Sequence, residues 1–409
     1  MIKSWVEGTE GSGFDLNHLP FGIARDLNGY SNSLAVAIGP FALNLVKVHE
    51  LGYLTYIPLE YLLSANLNAF LELGKDIHDR LRADLKKWLS QPGLKKALEI
   101  ALVDRESIQM ACPLAPPDFV DFYSSLHHAE RSSKLSGKSV HRNWFSMPVG
   151  YHSRAGSIKG NNAFIERPFG QVLVEDRPVY KATGSLDFEL ELGFVVRAAH
   201  PAGNISASGF IDSVFGVSLL NDWSARDLQK WESFPLGPFH AKSFATQTAS
   251  WVTPIEALLP YALRNKSQSE ALDYLRHDMA LTFDLHLEVC LQTPEMKLEN
   301  ISPFVISRSN YKHTYWDGAQ QLAHITANGA PARVGDLFGS GTISGPKVEN
   351  SGCLLELTSA GQNPVILPNG QQRRWLENGD TILFKGTLEK EGAEPISLGE
   401  LSGTVTAGN

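Results

Sequence analysis

Cysteine is scarce in this sequence, and the few cysteines lie far apart. The 409 residues include three of them, Cys112, Cys290 and Cys353, and no Cys-x-x-Cys pair occurs. Such spacing argues against a disulfide framework and against a cysteine-based zinc site. We therefore expect a protein of the reducing cytoplasm.

Long apolar runs and blocks of basic residues are also missing. No stretch approaches the roughly eighteen apolar residues of a membrane-spanning helix, and the N-terminus lacks the apolar segment of a signal peptide. The 36 Lys and Arg residues are outnumbered by 44 Asp and Glu, which gives a formal net charge of −8. We therefore expect neither a membrane nor a nucleic acid as a partner.

Motifs for nucleotide binding and for serine hydrolysis are absent. The run Ser-Gly-Lys-Ser at 136–139 resembles the end of a phosphate-binding loop, but Ser132 stands where that loop needs a glycine. Neither Gly-x-Ser-x-Gly nor Gly-x-Gly-x-x-Gly occurs. The sequence thus favours neither a nucleotide-binding enzyme nor a serine hydrolase.

The length of the chain predicts two domains, because one hydrophobic core rarely serves 409 residues. The proline-rich stretch 112–117 is typical of a linker. We place an N-terminal domain at residues 1–112 and a catalytic domain at residues 113–409.

The two parts differ in pattern. In the first, residues 34–39, 42–46 and 53–57 have the alternation of short strands, whereas residues 59–104 have helical spacing with a break at Pro92-Gly93. The second part has many short alternating segments with Gly and Pro turns. Its predicted helical pieces are residues 223–231, 267–274 and 311–326.

One segment combines apolar and acidic side chains in strict alternation. From Ser185 to Val196 the pattern predicts a single deep strand, with Asp187, Glu189 and Glu191 on one face. Burying unpaired carboxylates costs several kcal/mol or forces protonation. A hard divalent cation is the simplest way to keep two of them ionised, which indicates a metal enzyme.

Other polar residues extend this candidate site. Asp121 and Asp222 lie at predicted element ends, and with Glu189 and Glu191 they form an all-oxygen set suited to Mg²⁺ or Ca²⁺. Capping a helix or turn is the ordinary alternative for either aspartate. His128 lies close to Asp121 in sequence, where a base could activate water. Lys242 either reaches solvent or donates to a developing oxyanion.

Longer motifs occur in order along the chain: Asp121-Phe-Tyr-Ser-Ser, Pro148-Val-Gly-Tyr-His, Leu186-Asp-Phe-Glu-Leu-Glu, Asn221-Asp-Trp-Ser-Ala-Arg-Asp-Leu-Gln-Lys-Trp-Glu and Gly339-Ser-Gly-Thr-Ile-Ser-Gly-Pro. Together they resemble the fumarylacetoacetate hydrolase family. The resemblance implies a mainly β fold with some α, built from a small SH3-like N-terminal domain and a large β-roll domain, usually as a homodimer. It also implies hydrolysis of a carbon–carbon bond in a 1,3-diketone acid, with fumarylacetoacetate giving fumarate and acetoacetate.

The resemblance also implies roles for single residues. The residues that match the family's Mg²⁺ or Ca²⁺ site are Asp121, Glu189, Glu191 and Asp222, with Lys242 and Thr246 beside the ion. His128 matches the general base, and Glu356 matches the carboxylate that orients it. The groups that match oxyanion donors are Arg226, Gln229 and Lys242, and those that match substrate contacts are Tyr123, Tyr151 and Thr342.

The sequence departs from the family pattern at the substrate end. The Phe-Arg run expected after His128 has no clean counterpart in residues 129–142, and Ser233 replaces a tyrosine. His127 stands where glutamine is usual, and Ala245 where glycine is usual. The metal, base and oxyanion groups are kept, while the groups that recognise the distal part of the substrate are altered. That pattern points to the same chemistry on a different substrate.

Three functions therefore remain at this point. The first is hydrolysis of fumarylacetoacetate itself, and the second is retro-Claisen cleavage, decarboxylation or tautomerisation of another 1,3-dicarbonyl compound in secondary metabolism. The third is a catalytically silent scaffold, which the intact metal and base positions disfavour. Retention of both His128 and Glu356 favours water activation, and hence hydrolysis.

Overall fold

The computed structural model describes residues 3–27, 30–264 and 271–408. Strands and helices occur in consecutive groups along these residues, with short 3₁₀ turns among them. Within the described residues, no helix combines the length and the apolar character needed to cross a membrane.

The N-terminal part is a small antiparallel sheet covered by helices. Its strands are β1 (Phe21–Leu27), β2 (Tyr30–Ile38), β3 (Phe41–Asn44), β4 (Leu102–Asp104) and β5 (Gln109–Met110). Its helices are α1 (Leu45–Glu50), α2 (Leu59–Leu62), α3 (Asn68–Glu72), α4 (Gly74–Ser90) and α5 (Lys95–Leu98). The strand order is β4-β3-β2-β1-β5, and each neighbouring pair is antiparallel.

The strand predictions for this part are correct for residues 34–39 and incomplete for residues 42–46. Strand β3 ends at Asn44, because its side-chain oxygen accepts the backbone N–H groups of Val46 (2.9 Å) and Lys47 (3.3 Å) and so caps helix α1. The strand predicted at residues 53–57 is wrong. Leu54 and Ile57 are both buried, but they lie on one face of a turn closed by an N–H···O bond between them.

The C-terminal part contains most of the strands. They are β6 (Phe119–Phe122), β7 (Gly150–His152), β8 (Ile158–Lys159), β9 (Ala163–Glu166), β10 (Phe169–Val174), β11 (Arg177–Ala182), β12 (Leu186–Asp187), β13 (Leu190–Val196), β14 (Val214–Asp222), β15 (Ser224–Ala225), β16 (Thr246–Thr248), β17 (Thr253–Pro254), β18 (Ala262–Arg264), β19 (Ala280–Phe283), β20 (Leu285–Gln292), β21 (Phe304–Asn310), β22 (Leu337–Gly339), β23 (Val365–Ile366), β24 (Gln372–Arg373), β25 (Thr381–Leu388) and β26 (Ile396–Thr406). The helices are α6 (Leu126–Leu135), α7 (Phe210–Ser213), α8 (Arg226–Glu232), α9 (His240–Ser243), α10 (Ile255–Leu258), α11 (Pro294–Leu298), α12 (Gly318–Thr326) and α13 (Leu354–Leu357).

Two sheets pack over the main core. The central sheet has the order β7-β6-β22-β13-β14-β16-β8, with β17 paired to β14, and the second has the order β21-β20-β25-β26-β9. Their facing side chains form one apolar cluster that includes Leu192, Phe194, Leu219, Leu287 and Phe384. This sheet-on-sheet core fits the β-roll architecture, and the helices remain at its margins.

The N-terminal part packs on the outer face of the central sheet. The ring of Phe215, on β14, lies 5.5 Å from that of Phe21 and 5.9 Å from that of Phe70, in edge-on contacts. A backbone bridge between Phe21 and Val252 continues the contact. The two parts therefore share buried apolar surface.

The predicted single strand from Ser185 to Val196 is interrupted. β12 pairs with β15, and β13 pairs with β14 and β22, while Phe188 and Glu189 lie between the two ladders. The N–H of Glu189 bonds the side chain of Asn221 (3.0 Å) instead of a ladder carbonyl. The predicted depth of the segment is confirmed, because the apolar and the acidic side chains are all buried.

The helix predictions for the second part are partly correct. Helix α8 covers most of residues 223–231, and α12 covers the later half of residues 311–326 after a 3₁₀ turn. Of the third prediction, residues 267–270 lie outside the described residues, and Asp273–Leu275 form a 3₁₀ turn.

Candidate active site

Four carboxylates meet in the part of the central sheet that runs from β6 through β22 and β13 to β14. Oxygen atoms of Asp121, Glu189 and Asp222 lie within 4.8 Å of one another, and all three side chains are buried. Glu191 faces Asp121 across Gly339, since a Cβ added at that glycine would meet both carboxylates. The four acidic residues that the sequence singled out are therefore brought together.

Gly339 makes this close approach possible. It pairs with Asp121 on β6 and with Gly193 on β13, so it lies between the strands that carry the acids. A Cβ at position 339 would lie 2.8 Å from Glu191 Oε2, closer than ordinary packing allows. Glycine is therefore the residue that lets the two carboxylates share this space.

Neutral donors hold several of the carboxylate oxygens. The Tyr151 hydroxyl lies 2.7 Å from Asp222 Oδ2 and 3.0 Å from Asp121 Oδ2, and Thr246 donates to Asp222 Oδ1 (3.0 Å). Burial and the two nearby aspartates raise the pKa of Tyr151 well above its usual value, so the phenol stays protonated. Because it has one proton, it donates to one aspartate at a time.

Two cationic side chains enter the cluster from helices α8 and α9. Lys242 forms ion pairs with Glu189 and with Asp222, the latter at 2.7 Å. Arg226 binds Asp187 (2.8 Å) and Glu189 (2.9 Å). Asp187 also accepts two backbone N–H groups at the start of α13, so it is engaged away from the other acids.

The environment separates the acids into two kinds. Burial and the neighbouring carboxylates raise the pKa of Asp121 and of Glu191 well above the usual range. Burial would also raise the pKa of Glu189, but the Lys242 ammonium and the Arg226 guanidinium lower it to about 2. Glu189 is thus ionised, whereas further positive charge nearby would stabilise the ionised forms of Asp121 and Glu191.

The donor set fits a hard divalent cation. The five buried acids Asp121, Asp187, Glu189, Glu191 and Asp222 face the two cations Arg226 and Lys242, an excess of three negative charges when all are ionised. Oε1 of Glu191 is buried, and no group among the described residues donates to it. Mg²⁺ and Ca²⁺ both prefer oxygen ligands, so an all-oxygen cluster with a free acceptor atom suits either ion.

A histidine and a glutamate form a second buried unit. His128 Nδ1 lies 2.6 Å from Glu356 Oε1, and Ser344 donates to the same oxygen (2.7 Å). Ser125 caps helix α6 by accepting the N–H of His128 (3.4 Å), which fixes the start of the helix that carries the imidazole. When Nδ1 donates its proton to Glu356, Nε2 is the acceptor, which is the tautomer a general base needs.

Sequence reasoning missed Arg131. Its guanidinium lies 2.6 Å from Glu356 Oε2, on the carboxylate oxygen that His128 does not bind. The available signal was helical spacing, because Arg131 follows His128 by three positions and the two share a helix face. Burial would raise the pKa of Glu356, but His128, Ser344 and Arg131 together lower it to about 2.

The remaining predicted residues lie around these two units. The Tyr123 ring packs edge-on against the His128 imidazole, with centroids 5.2 Å apart. Gln229 Oε1 accepts a hydrogen bond from Arg226 (3.1 Å). Thr342 is buried one residue after Gly341, whose N–H donates to Glu191 (3.0 Å).

Cys353 lies beside the histidine–glutamate pair. Its thiol is 3.3 Å from Glu356 Oε1. Potential metal-binding atoms of Cys353, His128 and Glu356 lie within 4.8 Å of one another. Burial and the adjacent carboxylate raise the pKa of the Cys353 thiol well above its usual value. A neutral thiol is a poor metal ligand, so the all-oxygen cluster is the better cation site.

Family models match nearly the whole chain. The model described as fumarylacetoacetate (FAA) hydrolase C-terminal matches residues 119–406, and the model described as fumarylacetoacetase N-terminal matches residues 17–113. The chain belongs to the fumarylacetoacetate hydrolase family. The first match includes every residue of the candidate site.

Curated relatives in the family are similar over their full length. The chain is 39% identical to the fumarylacetoacetase of Bos taurus, with 98% of each chain covered, and 38% identical to that of Homo sapiens, again with 98% of each covered. A solved structure of a fumarylacetoacetate hydrolase from psychrophilic Exiguobacterium antarcticum superposes with a TM-score of 0.53 at 16% identity, covering 95% of this chain and 99% of the other. That likeness confirms the fold predicted from the resemblance.

The departures from the family pattern have clear positions. Ser233 donates to the backbone carbonyl of Gln229 (2.5 Å), so its side chain closes the end of helix α8. Residues 126–135 form α6, and Arg131 is turned toward Glu356. Ala245 is buried next to Thr246. The His127 ring lies 6.0 Å from that of His313.

Proposed function

We propose that this protein hydrolyses a carbon–carbon bond of a 1,3-diketone acid, with fumarylacetoacetate cleaved to fumarate and acetoacetate. The observation that carries the proposal is a buried histidine–glutamate pair beside a buried carboxylate cluster. The curated relatives, which are similar over 98% of each chain, are named fumarylacetoacetase, and this supports the substrate.

We further propose a Mg²⁺ or Ca²⁺ cofactor held by Asp121, Glu189, Glu191 and Asp222. Lys242 and Thr246 lie beside these acids, and both contact Asp222. When bound, such an ion stabilises the enolate charge that appears when the carbon–carbon bond breaks. The carboxylates hold it by charge, and Gly339 leaves room for them to converge.

His128 acts as the general base. Its Nε2 takes a proton from water, and the hydroxide attacks one carbonyl of the diketone. Glu356 holds the Nδ1–H and stabilises the imidazolium that forms, as the acid of a catalytic triad does. Tyr123 packs on the imidazole and limits its rotation.

Arg226, Gln229 and Lys242 supply donors for the oxyanion. The Lys242 ammonium has three protons and uses two on Glu189 and Asp222, which leaves one for a substrate oxygen. Gln229 accepts from Arg226 through its carbonyl oxygen, and its amide N–H₂ remains a donor. Tyr151 and Thr342 provide further polar contacts for the substrate.

A second substrate class is supported by one observation. Ser233, in place of a tyrosine, bonds its own helix and offers little reach toward a distal substrate group. A shorter or uncharged 1,3-dicarbonyl compound is therefore the alternative, cleaved, decarboxylated or tautomerised at the same site.

We also propose a cytoplasmic homodimer with a domain boundary at 112/113. The whole candidate site lies after residue 113, and the family models change between residues 113 and 119. Large apolar side chains on α8, the loop after it and β11 are exposed, including Leu236 (97%), Phe234 (90%) and Tyr180 (70%), which suits a self-association surface. The three cysteines are free thiols, as expected in a reducing compartment.

The deciding experiment is an absorbance assay with purified protein and Mg²⁺. Fumarylacetoacetate, simple acylpyruvates and a triketone are compared at equal concentration, and the products are identified by chromatography. Loss of diketone absorbance with formation of fumarate and acetoacetate supports the first function. Turnover of another dicarbonyl alone supports the second, and no turnover of any contradicts both.

A further inference from the structure

We infer that Arg131 is a positioning residue for the His128–Glu356 pair, one that holds the far oxygen of Glu356 so that the near oxygen faces His128. This inference rests on the proposed function, because the pair it serves is the proposed base and its partner. The Arg131 guanidinium donates to Glu356 and to residues of the 345–351 loop, and so it acts on His128 through Glu356.

Arg131 joins three separate elements. It lies on α6, and its guanidinium contacts Glu356 on α13 (2.6 Å), Ser351 Oγ (3.2 Å) and the carbonyl of Lys347 (2.9 Å). It also contacts the carbonyl of Gly345. A planar fork with five N–H donors can meet all of these acceptors at once, which an ammonium cannot do.

The two oxygens of Glu356 are divided between different donors. His128 and Ser344 occupy Oε1, and Arg131 occupies Oε2. Rotation of the carboxylate about its terminal bond would break all three contacts. Because His128 and Arg131 lie three residues apart on one helix, the helix itself sets the distance between the imidazole and the guanidinium.

The contact between Arg131 and Glu356 matters because it is buried. The Glu356 side chain has no exposed surface, so an oxygen that loses its donor is not rescued by water. Charge-assisted hydrogen bonds are also the stronger ones in such a setting. Without Arg131 the carboxylate can turn, and the Nδ1–H of His128 loses its fixed acceptor.

A structural role alone makes a different prediction. If Arg131 only ties the 345–351 loop to α6, its loss lowers the stability of the fold and leaves the hydrogen bond at His128 Nδ1 intact. If it positions Glu356, its loss changes that hydrogen bond and the turnover number in a protein that is still folded.

The test compares Arg131→Gln, which removes the charge, with Arg131→Lys, which keeps it. Arg308→Gln is the matched control, because Arg308 forms an exposed ion pair with Glu288 on strand β20. We expect kcat to fall by roughly tenfold or more in Arg131→Gln with KM within about twofold, and by about threefold or less in Arg131→Lys. The control should match the unaltered enzyme.

The second readout does not depend on turnover. The deshielded Nδ1 proton of His128 is followed by NMR and assigned by its absence in His128→Ala. We expect it to shift or broaden in Arg131→Gln and to persist in Arg131→Lys. If Arg131→Gln folds, an unchanged Nδ1 proton signal and an unchanged kcat would overturn the inference. If Arg131→Gln does not fold, loss of the proton signal in folded Arg131→Lys would overturn it. Absence of turnover in the unaltered enzyme would contradict the proposed function, while the NMR comparison would still decide the role of Arg131.

Discussion

Nδ1 of His128 lies 2.6 Å from Oε1 of Glu356, although 228 residues separate the two along the chain. Ser344 links the two helices: its carbonyl accepts from Ser125, the N-cap of α6 (3.0 Å), and its hydroxyl donates to Glu356 on α13 (2.7 Å). The carboxylate cluster, by contrast, is built from the central sheet and the short link between β12 and β13. The proposed base therefore lies on a helix, whereas the acids lie on strands or, for Glu189, between two strands.

Replacing the base should stop catalysis and spare the cation site. We expect His128→Ala to lower kcat by roughly 10²- to 10⁴-fold, because a positioned base contributes that much to water activation. Mg²⁺ binding, measured by calorimetry, should be unchanged, since the acids lie on other elements. His286→Ala, at an exposed position on β20, is the control and should behave as the unaltered enzyme. Normal turnover by His128→Ala would remove His128 from its role.

Much of the fold could be predicted from the sequence, since burial patterns reflect local alternation. The alternating segment around Leu190 is buried as predicted, and helix α4 ends at Ser90, just before the predicted break at Pro92-Gly93. The interruption at Phe188 and Glu189 could not be seen, because the alternation of side chains continues unchanged across it. Only the choice of ladder partners, β15 for one half and β14 for the other, divides the strand.

The contacts of the site were harder to predict than its members. Asp187 alternates with Glu189 and Glu191, yet it binds Arg226 and the start of α13 instead of joining the other acids. Arg131 resembles any charged residue on a surface helix, and its partner Glu356 is 225 residues away. Helical spacing places Arg131 on the same face as His128, but nothing local in the sequence indicates that it pairs with Glu356.

Removing a carboxylate should remove the cation. We expect Glu189→Ala to abolish detectable Mg²⁺ binding by calorimetry and to abolish turnover with it, because an ionised ligand is lost and Lys242 and Arg226 lose their shared partner. Glu400→Ala is the control, since Glu400 forms an exposed ion pair with Lys385. Retention of normal Mg²⁺ affinity by Glu189→Ala would contradict the proposed ligand set.

Adding one methyl group between two acids should have a similar effect. Gly339→Ala places a Cβ 2.8 Å from Glu191 Oε2, so the acids must separate or the strands must shift. We expect a loss of about 1–3 kcal/mol in the free energy of unfolding and weaker Mg²⁺ binding. Gly156→Ala meets no neighbouring atom and serves as the control. Denaturant titration and calorimetry measure the two effects, and equal results for both variants would show that the cluster tolerates the methyl group.

The stability of the metal-free protein should depend on pH through the acids with raised pKa values. Burial and neighbouring charges raise the pKa of Asp121 and Glu191, so the folded state holds their protons to higher pH than the unfolded state does. Their contribution to stability is complete below the unfolded pKa and is lost as pH rises through the folded one. Glu189 and Glu356 have pKa values of about 2, so their contribution is lost only in strong acid. Between about pH 5.5 and about pH 8, we therefore expect the melting temperature in EDTA to fall.

Divalent cations should reverse that trend, because ligands must be deprotonated before they bind a metal. We expect Mg²⁺ or Ca²⁺ to raise the melting temperature more at about pH 8 than at about pH 5.5, since fewer protons then compete with the ion for Asp121 and Glu191. Scanning calorimetry at both pH values, with and without the ion, measures the difference. Glu191→Gln keeps the size of the side chain without the charge and should reduce the ion's stabilising effect at high pH. An equal increase in melting temperature at both pH values would mean that Asp121 and Glu191, the acids with raised pKa values, do not bind the cation.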